Sequence, residues 1–304
     1  VLRDRQLFAS HARLLRMDWP KNLDSPSYAP MVLGAIAAGQ FDHTFVPVTI
    51  DVGGHRGVFR VSKDALKIDG VRINASAILQ QQIADLLGAY LPTPKLYDQM
   101  WAQRTTTVLP CPMPINSTAA GMIAHSACVE KQISGPTNGI IQTVGKTWVL
   151  SNKLSLKTAM NMGWYLEKPM AGVPFDPAPT LAGAHMIQSP GTAHGPNHCD
   201  YSQVCLFVAL DCVVDGRPTT FAEVAKDPSL CALVNHTGVL YTLRQPGAPE
   251  LVTPPSVVAK PPGGATVALT AAGAGAGALI GGPVGAVLGG AAGLVADAVR
   301  RTIS

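Results

Sequence analysis

The sequence predicts an α+β domain with a mainly antiparallel sheet and packed helices, followed by a glycine-zipper tail of different composition. Three observations predict it. Short β-rich segments flank Gly53-Gly54 and Asp69-Gly70, the signature of antiparallel hairpins. Amphipathic helical stripes open at Ser76 and at Thr93-Pro94, each a capping residue ahead of an apolar face. Six glycines then recur at every fourth position from Gly273 to Gly293, inside a stretch, 261–296, that carries no charge.

Taken in order, residues 1–24 form a basic arm, with Arg3, Arg5, Arg13 and Arg16 breaking every apolar run, so no signal peptide is legible there. Export stays open, through a leader removed earlier. Ser25-Pro26 opens a helix over 28–38 that Gly39 stops. A β-meander follows, with strands at 44–50 and 58–61 and then at 66–68 and 71–73. The Ser76 helix carries Ile78, Leu79, Ile83, Leu86 and Leu87 on one stripe and ends at Gly88. The Thr93-Pro94 helix turns Leu96, Tyr97, Met100 and Trp101 to one side. Pro110 to Pro114 is a loop, and a third helix spans 117–132. Strands are expected at 139–143, 147–150 and 159–165, an extended surface connection at 169–183, and a strand at 203–214 that turns at Asp215-Gly216. Short helices at 221–225 and 228–234 complete the globular part, 25–246.

Prolines then dominate a stiff linker, 247–264, ahead of the zipper segment, 265–304. Glycine at every fourth position leaves a bare stripe on which another backbone can pack. Each glycine costs a helix in water about 1 kcal/mol against alanine, so the repeat argues for an apolar or tightly packed setting. The stretch also exceeds the roughly 20 residues that cross a bilayer. Membrane contact or self-association through 265–296 is set against soluble packing of small-residue helices, or an Ala/Gly tail without fixed structure.

Composition narrows the function class. Charged residues make up 14% of the 304 residues and the net charge is +4 without clustering, so nucleic-acid binding is disfavoured. The six cysteines include no C-x-x-C pair, which excludes a zinc ribbon or a thioredoxin-like motif. Cys205 and Cys212 lie on an apolar run and read as buried thiols, while the even count is compatible with disulfides in an exported chain.

The candidate chemistry sits in His194-Gly-Pro-Asn-His198-Cys-Asp200-Tyr201-Ser202-Gln203, two imidazoles, a carboxylate, a phenol and a hydroxyl leading into an apolar strand. Such groups are costly to bury unless they are paired or used. One reading makes His198 the general acid-base, oriented by Asp200 or Glu130, with Lys146 or Tyr201 stabilising developing negative charge. Another makes His194, His198 and Asp200 ligands of a divalent metal such as zinc, with His185 or His125 as a further ligand. Gly195-Pro196 forbids the regular helix that a paired-histidine metalloprotease needs. The plain alternatives are solvated loop histidines and a capped strand entry, with Asp200 bonding backbone amides and Tyr201 packed. Alternation along a strand starting at Asp200 would set Asp200 and Ser202 opposite Tyr201. Lys146 lacks the glycine of a phosphate-binding loop, no G-x-S-x-G elbow is present, and Cys199 points away from its neighbour His198.

Several segments together resemble a family of uncharacterised bacterial proteins, many of them exported. They are the meander 45–73, Leu91-Pro-Thr-Pro-Lys-Leu-Tyr-Asp98, His125-Ser-Ala-Cys-Val-Glu130-Lys-Gln132, Gly145-Lys-Thr-Trp-Val-Leu-Ser-Asn152, Asn161-Met-Gly-Trp-Tyr165 and His194 to Gln203. The resemblance spans about residues 40–245 and leaves out the zipper. It implies no established activity, but it groups His125, Glu130, Lys146, Asn152, Trp164, His194, Asp200, Tyr201 and Ser202 in shared motifs. Relatives tend to carry Tyr-Gly-Trp-His where this chain has Met162-Gly-Trp-Tyr165, one imidazole fewer. Some relatives are linked to peptidoglycan-binding modules, which implies a cell-wall substrate. The expectation is therefore an exported or envelope-associated hydrolase acting on a cell-wall or other polymer, with His198, Asp200, Tyr201, Lys146, Glu130 and His125 at its site. The alternative is a non-enzymatic structural or membrane-interacting protein whose zipper drives self-association.

Overall fold

The computed structural model describes residues 17–251. The basic arm up to residue 16, the linker from residue 252 and the zipper segment, with its membrane and self-association readings, lie outside the described residues. Within them the fold is α+β and its sheets are mainly antiparallel.

Local chemistry builds the first half as expected. Helix α1 (Tyr28–Ala37) buries Tyr28, Val32, Ala35 and Ile36, though Ser27 stands at its N-cap and makes no capping bond. Strands β1 (Phe45–Val52) and β2 (His55–Ser62) pair through Gly53 and Gly54, whose φ of 61° and 82° fit the left-handed turn that matches strand twist. Asp69 and Gly70, at φ 50° and 73°, do the same between β3 (Lys67–Ile68) and β4 (Val71–Arg72). Ser76 Oγ accepts from Leu79 N to start α2 (Ala77–Leu87), and Gly88, at φ 56°, stops it. The two-residue β5 (Ala89–Tyr90) follows, then α3 (Pro94–Ala102), capped by Thr93 and opened by its own proline. β6 (Thr106–Thr107) pairs in parallel with β7 (Ile141–Gln142), an exception to the antiparallel rule. Between them, α4 (Ala119–Glu130) starts later than residue 117 because Thr118 caps it onto Gly121 N, and it ends at Glu130 with Lys131 as its C-cap.

The second half departs more from expectation. β8 (Lys146–Val149), β9 (Ala159–Leu166), β10 (Asp176–Pro177) and β11 (His185–His194) form one sheet in the order β10-β11-β9-β8. The ten-residue β11 was not expected from the sequence. It lacks a period of two, and its pairing with β9 slips between Gln188 and Gly191 and again before His194. Those bulges absorb Pro190, which has no N–H for a regular ladder. Every residue of β9 is buried. The other large sheet runs β1-β2-β12-β13, with β12 (Val208–Val214), β13 (Arg217–Thr220) and β5 joined to β12.

β12 begins at Val208 rather than at residue 203. The buried segment 203–207 is shared among neighbours: Ala75 N bonds Gln203 O, Val204 N bonds Lys146 O, Leu66 N bonds Cys205 O and Ser62 N bonds Phe207 O. Its apolar run is therefore a backbone junction between the two sheets. A capping box of Thr220 and Glu223 opens α5 (Phe221–Lys226), and a 3-10 turn at Cys231–Leu233 follows. The chain stays tied to α2 beyond residue 243, where Arg244 ion-pairs with Asp85 and also donates to Pro249 O at 2.8 Å. Among the described residues no helix is long and apolar enough to cross a membrane.

A disulfide joins Cys111 to Cys128, pinning the proline-rich loop to α4, while Cys199, Cys205, Cys212 and Cys231 are buried free thiols. The bonded cysteines are 17 residues apart, a loop whose closure stabilises the fold by about 3 kcal/mol. Urea unfolding of C111S/C128S should show a loss of that order, and equal unfolding free energies for both proteins would refute it.

Candidate functional site

The polar stretch begins where β11 ends at His194 and returns to the sheet through a turn. Residues 200–202 are not a strand entry. The Asp200 Oδ1 accepts from Ser202 N at 2.8 Å and from Ser202 Oγ at 2.6 Å, the side-chain closure of an Asx turn. The strand alternation expected there therefore does not apply, and Asp200 and Tyr201 serve two adjoining clusters.

Lys146 and His198 meet at the other oxygen of Asp200. Lys146 Nζ lies 3.2 Å from Asp200 Oδ2, and His198 Nε2 lies 3.7 Å from the same atom. Lys146 is held by its backbone, since its N donates to Ser202 O and its O accepts from Val204 N, both at 2.8 Å. Two bare positions permit that fit. A Cβ on Gly145 would fall 2.8 Å from Ser202 O, and one on Gly163 would fall 2.5 Å from Lys146 Cα. Burial opposes ionisation of Asp200, but the Lys146 ammonium and the Ser202 hydrogen bonds more than offset it, so the carboxyl sits below its usual range. Lys146 and Asp200 are buried, whereas the His198 side chain is 32% exposed, with the Nε2 that faces Asp200 itself buried and without a hydrogen-bond partner. His194 stacks on His198 with ring centroids 4.1 Å apart and planes 6° apart. Burial, His198 and Lys146 lower the His194 pKa.

A second cluster walls the first. The rings of His125, Trp164 and Tyr201 form a triangle with centroid separations of 6.0, 6.3 and 5.6 Å, and Lys146 Nζ lies 5.4 Å from the Trp164 ring. Tyr201 OH accepts from Met113 N at 2.7 Å, which leaves its proton available to donate, and Tyr201 N donates to Asn116 O. The loop clamped by Cys111–Cys128 thus sets the phenol. His125 is fully buried, and its pKa falls to about 4 because of burial and then the charge of Arg72. It is neutral at neutral pH and stands beside Tyr201 rather than in the His198 chain.

Three assignments need correction. Glu130 does not orient His198. Its carboxylate pairs with Arg72 at 2.8 Å and Lys67 at 3.2 Å, on the rim of a separate cavity of about 240 Å³ where Asp64 also binds Arg72. His194, His198 and Asp200 do not form a zinc site, since imidazole lone pairs lie in the ring plane and two parallel stacked rings cannot aim them at one ion. Among the described residues no group of three His, Cys, Asp or Glu side chains is placed to hold a metal. His185 is at the far end of β11, edge-on to Phe175, rather than beside His194. Cys199, in keeping with its poor placement in the sequence, is buried and its thiol is pushed well above the ordinary value, which keeps it protonated. Asn152 ties the C-terminal segment by accepting from Tyr241 N and donating to Val239 O.

Sequence reasoning passed over two features. Asn161 in β9 is 1% exposed with neither side-chain polar atom hydrogen-bonded, and Gln203 Nε2 and Trp164 Nε1 are likewise unpartnered. A lone carboxamide within an otherwise apolar buried strand was the available signal. Asp98, in α3, accepts from Tyr165, Thr180 and His236, the last at 2.7 Å, and so gathers four segments at one buried carboxylate. Comparison with known protein families, with curated proteins and with solved structures finds no match to this chain.

Lys146→Met should cost about 3–5 kcal/mol in denaturant unfolding, since Asp200 is left buried without its counter-charge. Adding Asp200→Asn, which keeps the acceptor for Ser202 without the charge, should recover most of the loss, and strict additivity of the two changes would refute the pairing. His125 has a reference pKa of 6.5 and titrates near 4 in the folded chain, so the unfolded chain takes up the proton first as pH falls. Its contribution is complete above pH 6.5 and is lost on the way down to about 4, amounting to about 3 kcal/mol. Urea unfolding across that window should show a decline smaller by this amount in His125→Phe, with the partly buried His43, also near 4, continuing to contribute. An identical pH dependence in both proteins would contradict the shift.

Proposed function

We propose that this protein is an exported or envelope-associated hydrolase acting on a cell-wall or other polymeric substrate, with His198 as its acid-base residue. The observation that carries the reading is the meeting of Lys146 and His198 on one oxygen of Asp200, with His198 alone of the three half-exposed. The imidazole of His198 takes a proton from a water as the water oxygen bonds to the electrophilic carbon, then returns it to the leaving group as the bond to that group breaks. Asp200, whose Oδ2 lies 3.7 Å from His198 Nε2, faces the charge that develops on the ring. Lys146, with N–H groups beyond the one facing Asp200, and the Tyr201 hydroxyl supply positive potential and a donor for the developing oxyanion. The Cys111–Cys128 disulfide supports an oxidising compartment, and the cell-wall polymer follows from the family resemblance.

Purified full-length protein incubated with isolated cell-wall sacculi should release soluble fragments. His198→Gln should slow release about a hundredfold or more, with circular dichroism unchanged. No release from sacculi by the unaltered protein, or full activity in His198→Gln, would end this reading.

A further inference from the structure

Asn161 occupies the middle of the site-bearing sheet. It is paired with Trp148 on β8 and with Gly191 on β11, two positions along from the Lys146–Gly163 pair. Residues directly opposite in an antiparallel ladder share a face, and the period of two puts Lys146, Trp148, Asn161 and Gly163 on the same one. His194 is on that face as well, with its ring edge-on to Trp148 at 6.4 Å and stacked on His198. Asn161 therefore shares the sheet face that carries Lys146 and His194.

Both polar atoms of Asn161 are without a protein partner in a side chain 1% exposed. Its neighbour on β11 has no side chain, and a Cβ built on Gly191 would meet nothing nearer than Ser189 O at 3.6 Å and Gln188 Nε2 at 3.9 Å. An unpaired buried carboxamide weakens a fold, so stability does not account for its presence. A group offering one acceptor and one donor together is complementary to a second amide, whose N–H it accepts and whose C=O it donates to.

We propose that Asn161 is a substrate-binding residue that holds an amide group of the substrate, with Oδ1 taking its N–H and Nδ2 its carbonyl oxygen. The inference rests on the hydrolase reading and narrows it to polymers carrying peptide bonds or N-acyl sugars. An ester or a plain hydroxylated glycan lacks the N–H and leaves Oδ1 unpaired, a penalty that discriminates against it.

The test uses the full chain carrying His198→Gln, so that the probe is not consumed, with affinity read by calorimetry. The probes are a disaccharide-tetrapeptide from the cell wall, the free tetrapeptide, diacetylchitobiose and its de-N-acetylated form. The disaccharide-tetrapeptide should bind, the two smaller amide-bearing probes report whether the amide is peptide or N-acyl, and the de-N-acetylated sugar should not bind. Asn161→Leu, of similar volume, should weaken binding about tenfold or more while leaving Tm unchanged or raised. Retained affinity in Asn161→Leu, a fall in Tm, or no binding of any amide-bearing probe overturns the proposal. Sacculus release that depends on His198 is measured separately. If it persists, only the amide assignment fails, and if it is absent the hydrolase reading fails with it.

Discussion

The carboxylate of Asp200 is the point on which this structure turns. One oxygen closes the 200–202 turn through Ser202, and the other receives Lys146 from β8 and faces His198 from the histidine loop. Without Lys146 the carboxylate would be a buried charge without its counter-charge, held by the Ser202 hydrogen bonds. Without Asp200 the ammonium would lose its counter-charge and keep the Trp164 ring beside it. Each therefore secures the other, and the geometry around His198 is the by-product.

That pair needs β8 closer to its neighbours than side chains normally allow. Gly163 lets β9 press against the Lys146 backbone, and Gly145 lets the 202–204 segment bond both sides of Lys146. The same closeness accounts for the burial of all of β9, which has strands on both edges and packing on both faces. The wall opposite is held by other means. The disulfide and Gln132 fasten the 109–113 loop to α4, and the loop in turn fixes Tyr201 through Met113 N. The buried β9 and the cross-linked loop flank the stacked, partly exposed imidazoles of His194 and His198.

Much of the fold was legible in the sequence because its signals are local. Gly53-Gly54 and Asp69-Gly70 take left-handed conformations that define their hairpins, and Ser76 and Thr93 cap the helices they precede. β11 was illegible because its bulges break the alternation by which a strand is recognised. In the site, Lys146, Asp200 and His198 were each legible as candidates from residue chemistry, with Glu130 and Tyr201 as alternatives, and their meeting at one carboxylate was not. Glu130 was misplaced because an acidic residue near His125 in sequence is carried along α4 to a different partner, Arg72.

The sequence by itself determined the α+β class, the hairpins, the helix starts and the identity of the polar stretch, since each depends on residues within a few positions of one another. Only the tertiary structure decided that Lys146, 54 residues from Asp200, would share its carboxylate. It also decided that Cys111 would find Cys128 and that Asn161 would lie unpaired on the sheet face that carries Lys146 and His194. Those outcomes depend on which strands become neighbours, and that is settled by burying the whole apolar surface at once rather than by any short segment.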